Sequence, residues 1–175
     1  MQQLIICAQG PHRPDLLKIL SKAIFDCGGK IADSHITLWG EQVAAIILLS
    51  GSWDAIVKIE SLLPRLQTQL GLNFVTTRTE VPSTSATVNL LPYIVELVAL
   101  YHPQIVYEIA NFFTDYNVSM NDLSIHRYIA TTGSQMLSVK LIIYVPTDIS
   151  IANLRNDFMD FCDDLNLDGI MDPLK

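Results

Sequence analysis

The strongest constraint in this sequence is an internal repeat. An offset of 89 residues lays Pro14 on Pro103, Leu16 on Ile105, Leu20 on Ile109, Ile24 on Phe113, Gly28 on Asn117, Ile31 on Met120, Asp33 on Asp122 and Ile36 on Ile125. Apolar positions fall on apolar positions. A glycine placed to end a helix falls on asparagine, the other residue that tolerates a left-handed backbone. One structural unit used twice follows. Residues 1–80 and 90–175 are the two expected copies, and 81–89 is the expected linker, with Pro82 and a Ser/Thr run in Val81–Thr87.

Within the first copy, Leu4–Ala8 reads as a strand that ends in the turn Gln9-Gly10-Pro11. Pro14 opens a helix with Leu16, Leu17, Leu20, Ala23, Ile24 and Cys27 at helical spacing, stopped by Gly28-Gly29. A hairpin of Ile31–Trp39 and Val43–Leu49 turns at Gly40-Glu41. Ser52 then caps a second helix carrying Trp53, Ile56, Ile59, Leu63 and Leu66, and Pro64 predicts a bend or break in it. Leu72–Thr79 closes the unit. The second copy repeats the order with a helix opening at Pro103, a hairpin of Val118–Ala130 and Gln135–Val145, a helix over Ile151–Leu165 and a last strand at Asp168–Met171. Each copy is thus βαββαβ. The expected fold class is α+β: two ferredoxin-like domains, each a four-stranded antiparallel sheet with both helices on one face.

A hydrophobic content of 50% excludes a disordered chain, and the apolar runs are too short to span a membrane. The first residues run straight into Leu4-Ile5-Ile6, so they read as a strand rather than a signal peptide, and a cytoplasmic protein is expected. Cys7, Cys27 and Cys162 are odd in number and widely spaced, each in an apolar strand or helix, which predicts ordinary buried cysteines. Core or packing positions are expected for Trp39 and Trp53.

The net charge of −7 is unevenly placed. Residues 1–80 carry seven basic and seven acidic side chains, whereas 81–175 carry four and eleven. Such a surface repels phosphate backbones, so direct nucleic-acid binding is not expected. Catalytic motifs are absent: there is no G-x-S-x-G, P-loop, Rossmann glycine series or H-E-x-x-H. His12, His35, His102 and His126 are far apart and the duplication does not bring them into a shared metal site. No enzyme, cofactor or metal is expected.

One junction carries a ligand reading. Gly10-Pro11-His12-Arg13-Pro14-Asp15 leads from the first strand into the first helix, where free amides and the helix dipole suit a carboxylate and Arg13 adds a positive charge. Asp33, two residues after Ile31 on the next strand, is placed to receive an ammonium group. Together they describe a free amino acid. The plainer alternative is a turn, a solvated arginine and a locally bonded aspartate, and Asp15 would compete for the same amides.

These residues resemble those of ACT-domain regulators, and more closely the glycine cleavage system transcriptional repressor family. The resemblance lies in Ile6–Pro14, in Cys27-Gly28-Gly29-Lys30-Ile31-Ala32-Asp33-Ser34 and above all in Leu48-Leu49-Ser50-Gly51-Ser52-Trp53-Asp54-Ala55-Ile56. It covers roughly residues 3–170. It implies a repressor acting by protein–protein contact on a DNA-binding regulator, with glycine as the relieving signal. It also implies an effector site at Gly10, His12, Arg13 and Asp15 with Ile31 and Asp33, the last as amine partner. His12 stands where the family often has Asp, and Asp15 where it usually has Gly. The second copy, Leu100-Tyr101-His102-Pro103-Gln104, lacks the glycine and the arginine and reads as a packing or partner-binding domain. A ligand-free interaction module of the same fold is the alternative function. A homo-oligomer is open to either, because each sheet has edges to protect.

Overall fold

The computed structural model describes residues 2–80 and 89–174. The chain divides into two compact units, Met1–Ser83 and Thr84–Lys175. Of the expected linker 81–89, residues 81–88 lie outside the described residues.

The first unit runs β1 (Gln2–Pro11), α1 (Leu16–Asp26), β2 (Lys30–Trp39), β3 (Gln42–Gly51), α2 (Trp53–Leu70) and β4 (Asn73–Thr79). The second runs β5 (Leu90–Leu100), α3 (Ile105–Asp115), β6 (Ser119–Ile129), β7 (Gln135–Pro146), α4 (Ile151–Asp164) and β8 (Asp168–Pro173). All strand pairs are antiparallel, in the orders β2-β3-β1-β4 and β6-β7-β5-β8. This is the ferredoxin-like βαββαβ arrangement, twice.

Alternation fixes which face the helices cover. On β1, Leu4, Ile6 and Ala8 are buried while Cys7 and Gln9 are exposed. Leu20 and Ile24 of α1 and Ile56, Ile59 and Leu63 of α2 close over the buried set. In the second unit Phe113 of α3 and Phe158 of α4 pack on Leu97, Leu141 and Ile143. Phe112, Tyr116 and Phe161 extend that helix contact, with ring centroids 4.8 Å apart for Phe112 and Phe161. The Tyr116 hydroxyl donates to the Asp157 carboxylate, which holds the phenol above its ordinary pKa.

The helix ends follow the repeat. Gly28 and Asn117, aligned by the offset, both adopt positive φ, 81° and 53°. Ser52 and Ser150 cap α2 and α4 by accepting from Ala55 N and Asn153 N at 3.2 and 3.4 Å. Gly71 ends α2 in a left-handed conformation. The Gly51-Ser52 pair at the heart of the most specific motif is therefore structural: a Cβ on Gly51 would lie 3.2 Å from that of Ala55.

Several expectations are corrected. The first helix begins at Leu16, not Pro14, because Pro14 and Asp15 form a turn; α3 likewise begins at Ile105. Pro64 does not break α2, which stays continuous over 18 residues, and the ring sits on its solvent side. Of the cysteines only Cys162 is buried. Cys7 is exposed because the helices leave its side of the sheet open. Trp39 and Trp53 are 71% and 59% exposed, so neither belongs to a core.

Each hairpin carries the same irregularity. Pairing of β2 with β3 shifts between Ile31 and Asp33, and that of β6 with β7 between Met120 and Asp122. Ile31 opposes Leu49 on the helix-covered side, but Asp33 opposes Leu48 on the open side. The extra residue, Ala32, makes this a β-bulge that turns the aspartate away from the helices.

Candidate functional site

The junction after β1 is built from two backbone approaches. Gly10 lies against the α2–β4 turn: a Cβ there would stand 2.7 Å from Leu72 Cδ2 and 3.0 Å from the Gly71 carbonyl oxygen. The close approach that the glycine permits is thus to the protein's own chain. His12 N then donates to Glu41 O at 2.7 Å, tying the loop to the β2–β3 turn.

Arg13 and Asp15 face one another across Pro14. Nε and one terminal nitrogen of Arg13 donate to the two carboxylate oxygens of Asp15, both at 3.0 Å, and the other terminal nitrogen reaches Gln69 O at 3.4 Å. The hydrogen bond and the charge of Arg13 hold the Asp15 carboxyl below its ordinary range; Asp15 in turn raises Arg13. Asp15 makes no side-chain cap bond to α1. The positive charge at this helix end is therefore matched from within, although both side chains remain partly open to solvent.

Gly10, His12, Arg13 and Asp15 are brought together; Ile31 and Asp33 are not brought to them. Gly10 pairs with Val43, whereas Asp33 pairs with Leu48 on the same strand β3. Five residues along a strand are roughly 17 Å. The carboxylate and ammonium of a free α-amino acid sit on one carbon and cannot bridge that span within one unit. Asp33 Oδ1 instead accepts from Ser34 N at 2.7 Å. Ile31 lines a different feature, an open cavity of about 590 Å³ between α1 and β2 with Lys18, Lys22 and Lys30 around it. Lys18 and Lys22, four apart on one helix, were the sequence signal for that basic rim.

The second junction has the same frame. Tyr101 N donates to Gln135 O at 2.9 Å, the counterpart of the His12 bond. In place of the lost arginine, Arg127 from β6 lies 5.0 Å above the Tyr101 ring. Sequence reading missed it, because the cation comes from a strand rather than from the loop. Among the described residues, no three His, Cys, Asp or Glu side chains converge to hold a metal. No helix among them is long and apolar enough to cross a membrane.

The family profile of the ACT domain matches residues 2–77, and the second unit repeats the same element order and sheet topology. The first unit matches the ACT domain, and the chain as a whole resembles tandem ACT-domain proteins. In particular it resembles the glycine cleavage system transcriptional repressor of Escherichia coli (strain K12), 29% identical over 170 residues that cover 95% of this chain and 87% of that protein. The repressor of the same description from Shigella flexneri matches equally. A crystal structure provisionally described as a glycine cleavage system transcriptional repressor superposes with a TM-score of 0.73 at 22% identity, covering 99% of this chain and 98% of that one. A protein of unknown function from Galdieria sulphuraria superposes with a TM-score of 0.76 at 14% identity, covering 99% of both chains. The two structures establish the shared fold over the full length. The curated relatives are described as transcriptional repressors.

Proposed function

We propose that this protein represses a glycine cleavage operon by contact with a DNA-binding regulator, that glycine relieves the repression, and that it works in the cytoplasm. The observation that carries the reading is similarity to the repressors along 95% of the chain, both units included. The charge supports it: an acidic second half suits a protein partner better than nucleic acid. Glycine's carboxylate would sit at Gly10, His12, Arg13 and Asp15. Ile31 and Asp33 would take part only if the ligand lay between two surfaces, one of them bearing Asp33.

Calorimetric titration of the full chain with glycine and serine tests the sensor. Glycine binding that Arg13→Ala abolishes supports it, and no heat with millimolar ligand removes it for the isolated protein. If Asp33→Ala leaves a measured affinity unchanged, the ligand is held at the junction alone. Co-purification of a DNA-binding protein tests the repressor reading separately. A second reading, an interaction module without a ligand, is favoured by one contact: Asp15 already occupies the Arg13 guanidinium.

A further inference from the structure

The two sheets differ on their open faces, the faces no helix covers. In the first unit Cys7 pairs with Ile46 across the central strands, with Val75 on the other side of Cys7 and Ile5 paired with Leu48 in the next row. Ile46 and Val75 are 55% and 65% exposed. In the second unit the corresponding central pair is Glu96 with Lys140, joined by a salt bridge of 3.2 Å, and Asp122, Asp168 and Asp172 stand around it. Ile94, Ile142 and Ile170 flank that salt bridge, so the two copies differ at the centre of the face: an ion pair in one, an uncharged apolar pair in the other. Around that centre lie Gln3, Gln9, Asn73 and Thr77, a polar rim about an apolar patch, which is the anatomy of an interface.

We infer that this face of the first unit is a weak homodimer contact, packed on the same face of a second copy. Charge placement selects that occupant. Every charged residue of the face, Lys30 and Asp33, and its histidine, His35, are on the edge strand β2, while the opposite edge strand β4 presents Asn73, Val75, Thr77 and Thr79. A two-fold axis running along the central strands lays β2 of one copy over β4 of the other, so charge meets neutral polar groups and never like charge. The second unit's face is a poorer partner, since apolar Ile46 and Cys7 would strip water from Lys140 and Glu96 without replacing it. Four strands about 4.8 Å apart and seven residues rising about 3.4 Å each hide on the order of 1,000 Å² over two copies. That is the lower limit for a specific interface, so association in the micromolar range is expected.

The second unit supplies its own control. Cys7→Glu with Ile46→Lys writes the Glu96–Lys140 pair onto the first unit, in a register the fold already accommodates. Sedimentation equilibrium of the full chain should show mass rising with concentration from 19.5 kDa towards twice that value. The double variant should weaken association by about tenfold or more. Val75→Lys, on the exposed edge strand, should do the same and stands in if the double variant fails to fold. A single-chain mass at every concentration overturns the proposal and leaves the face to another partner. So does a dimer that survives both charge variants.

Discussion

Arg13 and Asp15 form a two-pronged ion pair across Pro14, with both carboxylate oxygens engaged at 3.0 Å. A ligand carboxylate at this helix end therefore competes with a side chain already in place. Asp15→Asn should raise glycine affinity several-fold by calorimetry, with little change in stability, since the pair is exposed. The pair also sets a pH dependence. The Asp15 carboxyl is depressed and Arg13 raised, so the contact persists above the ordinary carboxylate range and is lost only as pH falls through the lowered value. Between pH 5 and 8 its contribution to stability, followed by thermal melts, should be flat.

Gly10 predicts a structural cost rather than a loss of ligand alone. A methyl group would collide with the buried Leu72 side chain and would crowd the Gly71 carbonyl and the Leu72 Cα, backbone atoms that cannot swing aside. Gly10→Ala should destabilise the first unit by about 1–3 kcal/mol in urea denaturation. A change of glycine affinity in this variant would have to be separated from that loss.

Pro64 sits on the solvent side of an unbroken helix, where it removes one backbone hydrogen bond and gives no burial in return. Pro64→Ala should stabilise the protein by about 1 kcal/mol or more, seen as a higher denaturation midpoint.

The cysteines should separate by reactivity. Cys7 is exposed, whereas burial pushes the Cys162 thiol up to about 11, with Asp163 and Asp168 adding to the effect. A raised thiol pKa keeps Cys162 protonated throughout the neutral range. In dilute solution, where the chains are apart, a maleimide should label Cys7 fastest and the half-buried Cys27 more slowly, lose the fast phase in Cys7→Ser, and reach Cys162 only after denaturant is added.

Much of the fold was legible because the repeat tests itself. The offset aligns Gly28 with Asn117, and both take the left-handed conformation that only such residues adopt readily. The first turn of α1 was less legible, since proline fits a turn as well as a helix start. The site was legible only in part. Gly10, His12, Arg13 and Asp15 are neighbours in sequence and stay together. Asp33 depends on strand register, and no local pattern reveals that five residues of β3 separate its row from that of Gly10. Arg127 was hidden for the same reason, reaching Tyr101 from a distant strand.

The bulge at Ala32 behaves as a phase marker for the strand that follows. Side chains alternate between the two sides of a sheet, so one added residue inverts the side of every later position. Deleting Ala32 would not merely shorten β2. It would offer Asp33 and His35 to the helix-covered side, put Ile36 and Leu38 outside, and leave the hairpin to slip its register or unpair. The same frame dependence holds at Asn121 in the second unit, where Met120 and Asp122 flank the shift. Lineages that keep both aspartates on the open side must conserve chain length at these two points, whatever happens to the residue that fills them.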